Sequence, residues 1–338
     1  MNEKEGTTKF PWPRLGHRRV CQALENTISS GQIPHAYLFL GPEGIGKSTM
    51  AAAFARNLVA SRGDDSVPDE LPGSYADLIV IERQEGKKNI SVEQVRELIH
   101  RLSLTSFLGS YKIGIIKDAQ DLSLEGANAL LKTLEEPSDN SVIILLAVSL
   151  DNIPSTIVSR CVLFRFQPVA REEVYDQLIA QGASRSQAKE ISALSGGKPL
   201  LAQRYLEDKE AIGGALAPAE NLLAYLEGGL MPSDAELDAW LGKGGFNEEA
   251  AAAERIFSVW QLLLRDLALV SLSAPELVGY SRFLSRLEAI SRNIIAQRKD
   301  PSAYVARALR ELDYARSLLS SNVGARRAII LALANIEI

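Results

Sequence analysis

The sequence predicts an α/β domain built on a parallel sheet, followed by a chain that stays helical to its end. Three observations carry this. Apolar runs without alternation, "AYLFL", "DLIVIE", "YKIGII" and "SVIILLAVSL", recur between helical stretches, which is the pattern of strands covered on both faces. A glycine-rich loop joins the first of these runs to a helix. Beyond about residue 168 strand-like runs stop, and apolar stripes at helical spacing take over.

Element by element, "HRRVCQALENTISSG" places Val20, Leu24 and Ile28 on one helical face, with Gly31 as its stop. The strand "AYLFL" follows, then the helix "KSTMAAAFARNLVASRG", which Gly63 is suited to end. "GDDSVPDELPGSY" reads as a loop and "DLIVIE" as a second strand. Ser91 and Gln94 form a capping-box signature for "VEQVRELIHRL". A strand in "YKIGIIKDAQDL" precedes the helix "SLEGANALLKTLEEP", stopped by Pro137, with Ala127, Leu130, Leu131 and Leu134 on its buried face. "SVIILLAVSL" and "CVLFRFQP" complete the sheet. The stretch "REEVYDQLIAQGASRSQAKEISALSGG" opens a small helical unit, and residues 208–338 carry long apolar stripes such as "EEAAAAERIFSVWQLLLRDLALV" and "AYVARALRELDYARSLL".

A chain of 338 residues exceeds the size at which one core keeps growing, so two or three domains are expected, here 1–168, 169–207 and 208–338. With 46% apolar and 23% charged residues the composition is that of a globular protein. A net charge of −5 argues against strong unaided binding to nucleic acid, although not against contact with DNA inside an assembly. No run reaches the roughly 18 apolar residues of a membrane span. The opening "MNEKEGTTKFPWPRLG" reads as a short flexible leader, so a cytoplasmic location is expected. Cys21 and Cys161 lack CxxC neighbours and are read as buried thiols. His17, His35 and His100 are too scattered for a metal site and are given structural or surface roles.

Gly41, Gly44, Gly46, Lys47, Ser48 and Thr49 lie in "GPEGIGKST", a fit to GxxxxGK[ST] with a strand before it and a helix beginning at the lysine. Backbone N–H groups of such a loop surround phosphate oxygens, and the helix N-terminus adds positive character. Lys47 would reach the β- and γ-phosphates and Ser48 would ligate Mg²⁺. Hydrolysis needs more: an acid at a neighbouring strand end to hold the metal, and a group that activates water. In "KIGIIKDAQDL", Asp118 as metal acid leaves Ala119 in the activating place. Asp118 as activator leaves Lys117 in the metal place, where it would repel Mg²⁺. Either register spoils a catalytic pair.

"GQIPHAYLFLGPEGIGKST", "ISVEQVRELIHRLSL", "YKIGIIKDAQDLSLEGANALLKTLEEP" and "IPSTIVSRC" together resemble the AAA+ subunits of bacterial clamp loaders, and "SSNVGARRAIILALANI" is similar to their last collar helix. The resemblance implies an AAA+ P-loop domain, a small helical lid domain and an all-helical collar domain. It puts Lys117 on the family's metal-holding aspartate and Asp118 on its catalytic glutamate. It sets Val148 on the first polar sensor, next to Ser149, and Lys198 or Pro199 on the second. Arg160, in Ser159-Arg160-Cys161, falls on an arginine that crosses a subunit interface to a neighbour's γ-phosphate; the plain alternative is an ordinary surface ion pair. The segment with Trp12 and Pro13 would pack near a bound base. Many relatives carry a four-cysteine zinc module in the stretch that is cysteine-free here, so zinc is not carried over.

The implied role is a non-catalytic or weakly catalytic subunit of the replicative clamp loader. It would bind ATP or ADP, with the Mg²⁺ requirement open. Its partners would be ATPase subunits of tau/gamma type, a delta-type subunit, and through the complex the sliding clamp and primed DNA; no membrane is involved. The alternatives are an ATP-hydrolysing loader subunit, with Asp118 as a residual base, or an unrelated P-loop kinase.

Overall fold

The computed structural model describes residues 10–62, 77–84, 86–87, 89–104, 111–242, 244–297, 300–319 and 323–336. The loop expected after the second helix, with Gly63 as that helix's stop, and most of the leader lie outside the described residues. The chain divides into two compact units. One holds residues up to Gln177 together with Gly197–Leu201; the other holds Leu178–Gly196 and Ala202–Ile338.

The first unit alternates helix and strand: α1 Arg18–Ser30, β1 Ala36–Leu40, α2 Lys47–Ala60, β2 Leu78–Ile81, α3 Val92–Ser103, β3 Lys112–Ile116, α4 Leu124–Glu135, β4 Ser141–Ala147, α5 Ser155–Val158 and β5 Val162–Arg165. The strands form one sheet in the order β2-β3-β4-β1-β5, and every neighbouring pair is parallel. Gly31 ends α1 in the left-handed region at φ 68°, and Ser91 with Gln94 closes both halves of the capping box on α3.

Alternation along the strands sorts the core. Tyr37, Phe39, Ile113, Ile115, Val142, Ile144 and Leu146 face α1 and α2, packing on Leu24, Met50, Phe54 and Leu58. Leu38, Leu40, Ile116, Ile143 and Leu145 face α3 and α4, packing on Val95, Leu98, Leu130 and Leu134. The fully covered strand pattern holds for β1, β3 and β4. It does not hold at the edges: Val80 of β2 is 44% exposed and Val162 of β5 is 41% exposed, because each edge strand has a neighbour on one side only. The four-residue α5 was not expected; one turn is too short for a periodic apolar stripe to show.

After β5 the chain is helical: α6 Arg171–Ala180, α7 Arg185–Leu194, α8 Pro199–Glu207, α9 Lys209–Gly228, α10 Asp234–Leu241, α11 Phe246–Ser271, α12 Leu284–Ala296, α13 Pro301–Leu318 and α14 Ala325–Ile336. The second unit's core gathers on α11. Trp260 is fully buried, stands edge-on to Phe257 and Trp240, and donates its Nε1–H to the Pro218 carbonyl of α9 at 2.8 Å. Cys21 and Cys161 are free and half-buried, and burial pushes both thiols up to about 11. Among the described residues no helix is long and apolar enough to cross a membrane.

Candidate functional site

Every residue of the glycine loop sits at the carboxyl end of the sheet, between β1 and α2. Gly41 donates its N–H to the Ala147 carbonyl of β4 at 3.1 Å, which ties the loop's first residue to the neighbouring strand end. A methyl on Gly41 would stand 2.5 Å from the Phe166 carbonyl oxygen, so no larger residue fits this approach. Gly46 adopts φ 107°, a left-handed conformation that turns the chain into α2 and that side chains disfavour. Gly44 shares the positive φ, and its carbonyl accepts the Leu200 N–H at 3.2 Å, which sets the "GGKPL" segment against the loop.

Lys47 is buried, and its ammonium donates to the carbonyls of Gly41 at 2.5 Å and Pro42 at 3.0 Å. Burial holds its pKa below the usual lysine value, against the upward pull of Asp118 and then Glu43; Lys198 adds to the lowering. Lys198 therefore stands close enough to the loop for its charge to be felt there. Ser48 is exposed and Thr49 half-buried in the first turn of α2, where free N–H groups face a ligand. The cradle thus fits a polyphosphate.

The segment before α1 packs over this loop. His17 shares an Nε2 hydrogen bond with the Ile45 carbonyl at 2.8 Å and stands edge-on to Phe166. Trp12 packs against the α1/α2 side of the core, and the Pro11 carbonyl accepts from Asn57 Nδ2 at 3.0 Å. Burial lowers the His17 pKa, opposed by the Ile45 hydrogen bond and by Glu173. The unfolded chain therefore takes up a proton near the ordinary value of about 6.5 while the folded chain resists it. Stability is full above that value and is lost as pH falls below it. Between about pH 7.5 and about pH 5.5 the first unit's melting temperature should drop, and His17→Gln should flatten that part of the slope, which is bounded by about 1.4 kcal/mol per pH unit for one group. Calorimetry at several pH values checks this.

The acidic pair expected of a hydrolase is replaced by a different network. Lys117 follows β3 directly, donates its N–H to the Ile81 carbonyl, and pairs its ammonium with Glu82 at 2.7 Å. Asp118 holds a left-handed backbone at φ 50°. Gln120 donates to Asp118 Oδ1 at 3.5 Å and accepts the Val148 N–H at 3.2 Å, linking the carboxyl ends of β3 and β4. Glu82 and Gln120 were not singled out by the sequence, because their roles depend on which strand ends become neighbours. Val148 presents no polar atom of its own side chain, and Ser149 Oγ accepts the Asp151 N–H. A divalent metal would be poorly served beside Lys117, whose ammonium brings a positive charge to this strand end.

Arg160 lies at the other end of the sheet. It follows α5, donates to the Thr156 carbonyl at 2.9 Å, and pairs with Glu135 of α4 at 2.6 Å. β5 begins two residues later, with Val162 beside Tyr37, while Gly41 lies four residues further along β1. At about 3.3 Å per residue the level of Val162 is roughly 13 Å from the loop along the strand axis. Arg160 is therefore turned away from the phosphate loop of its own chain.

A parallel α/β sheet with a glycine loop ending on a buried lysine at a helix N-terminus defines a P-loop nucleotide-binding domain. Residues 16–170 match the family described as "DNA polymerase III, delta subunit". Two curated relatives fit the same placement. The gamma subunit of DNA polymerase III from Buchnera aphidicola is 33% identical over 169 residues, 48% of this chain and 46% of the relative. The delta' subunit from Pseudomonas aeruginosa is 35% identical over 207 residues, 58% of this chain and 60% of the relative. Residues 16–170 are thus similar to clamp-loader subunits of DNA polymerase III, and the aligned stretches span about half the length of these relatives. A solved gamma-subunit-related protein from Thermotoga maritima covers 93% of this chain and 98% of its own at 18% identity, with a TM-score of 0.45.

Proposed function

We propose that this chain is a delta-prime-type subunit of a replicative clamp loader that holds nucleotide without turning it over and donates Arg160 to a neighbouring ATPase site. The observation that carries the reading is an intact phosphate loop together with a lysine, Lys117, directly after β3, where the family resemblance puts the metal-holding aspartate. The Gly41–Thr49 cradle and Lys47 would bind ATP or ADP. Neither Lys117 nor Val148 supplies what hydrolysis requires, and Asp118 alone is left near the loop. Bound nucleotide, when present, supplies a polyphosphate for these N–H groups to grip, and ligand that favours the folded state adds stability by mass action.

Arg160 supports the donor half of the reading. It precedes β5 at the end of the sheet away from the loop, half-exposed, paired with the surface carboxylate of Glu135 and donating to the Thr156 carbonyl. An arginine so placed reaches phosphate on another subunit. In this reading residues 169–207 act as a lid and residues 208–338 as a collar that joins the chain to tau/gamma-type and delta-type neighbours, with the sliding clamp and primed DNA engaged through the complex. The complete GxxxxGK[ST] loop favours a second reading, an ATP-hydrolysing subunit in its own right.

The purified chain separates the two. It should show a thermal shift with millimolar ATP that Lys47→Ala removes, together with no Mg²⁺-dependent turnover above background. Robust turnover by the chain alone would sink the first reading and establish the second.

A further inference from the structure

We infer that Lys117 serves as the counter-cation of the phosphate loop, so that this chain takes a nucleoside di- or triphosphate without Mg²⁺. The inference rests on the nucleotide-holding part of the reading above and concerns what neutralises the phosphate charge.

Strand register places the residue. Ile116 is level with Leu145 of β4, and Leu145 is level with Leu38 of β1, so Lys117 comes level with Phe39, two residues before Gly41. Alternation along β3 puts Lys117 on the side of Ile113 and Ile115, the side that carries α1, α2 and the loop. One strand separates β3 from β1, a span of roughly 10 Å at about 4.8 Å per strand. A lysine is a point charge on a flexible four-carbon stem, suited to crossing part of that gap. The immediate neighbour Asp118 is already close enough to act on the Lys47 ammonium, which ties this strand end to the loop electrostatically.

Glu82 holds Lys117 in reserve. The pair is 2.7 Å apart, with 39% and 59% of the two side chains exposed, and ion pairs this open are weak and exchange freely. A polyphosphate carries more negative charge than one carboxylate and can draw the ammonium across. Lys47 and, through its charge, Lys198 already stand at the loop. Lys117, which rests on Glu82 beside the β2 edge, would add a third positive charge once drawn across, and a metal entering beside it would then meet a like charge.

Calorimetric titration of ATP and ADP into the full chain tests this, in excess EDTA and in millimolar Mg²⁺. Wild-type affinity should agree within about twofold between the two conditions. Lys117→Met should weaken binding in both, and Lys117→Asp should weaken it in EDTA and restore it with Mg²⁺. Glu82→Gln, which frees the ammonium, should leave affinity equal or higher. Lys47→Ala serves as the non-binding control, and circular dichroism confirms that each variant folds. Tightening of wild-type binding by more than about tenfold on adding Mg²⁺ overturns the inference, as does undiminished binding by Lys117→Met. Absence of binding in either condition also overturns it, yet leaves the Arg160 donor role standing, because that role is read on a neighbour's turnover.

Discussion

In a loader reconstituted from its own partner subunits, Arg160→Ala should cut ATP turnover at the neighbouring site by about 10³-fold or more, the range in which an arginine supplied in trans acts. In the proposed donor role the guanidinium would stabilise charge that builds on the phosphoryl oxygens at the transition state, so the loss would fall on the rate and much less on nucleotide affinity. The variant chain itself should be nearly as stable as the wild type. Its ion pair with Glu135 is exposed, and such pairs contribute about 0–1 kcal/mol. Glu135→Gln is the companion: it frees the arginine and should leave turnover largely intact. Full turnover with Arg160→Ala, measured with clamp and primed DNA present, would show that Arg160 is a surface ion pair and nothing more.

The largest stability effect should come from Trp260→Ala. This side chain is fully buried at the centre of the second unit, touches two aromatic rings and holds the Pro218 carbonyl. Truncation combines lost burial with a cavity, about 3–5 kcal/mol for a large aromatic. Hydrogen exchange localises the result: protection should fall across α9, α11 and α13, and much less across β1, β3 and β4. Equal loss in both units would mean that the two fold as one cooperative body.

Most of the first unit could be read from sequence because its signals are local. The capping box at Ser91 and Gln94 and the stop at Gly31 each depend on residues within a single turn. The loop itself was legible for the same reason. What escaped was set by topology. "DLIVIE" and "AYLFL" look equally apolar, yet the first lies at an edge and the second lies between two neighbours. The Lys117–Glu82 pair spans 35 residues, the Arg160–Glu135 pair spans 25, and no motif says that these residues meet. His17 was read as structural or surface; the structure makes it a buried support for Ile45, through a contact that only the fold brings together.

The parallel sheet also gives the first unit a polarity. Its phosphate loop and Arg160 occupy opposite ends of the same strands, so a contact that joins one end to another chain's opposite end is head-to-tail, and each partner uses a different patch. Such contacts propagate until something ends them. A member whose arginine end is whole but whose loop end lacks the metal acid can complete a neighbour's site and needs no completion in return. On the proposed reading Lys117 would mark a place in an order, and a series of related chains with this one at its edge would acquire a first and a last.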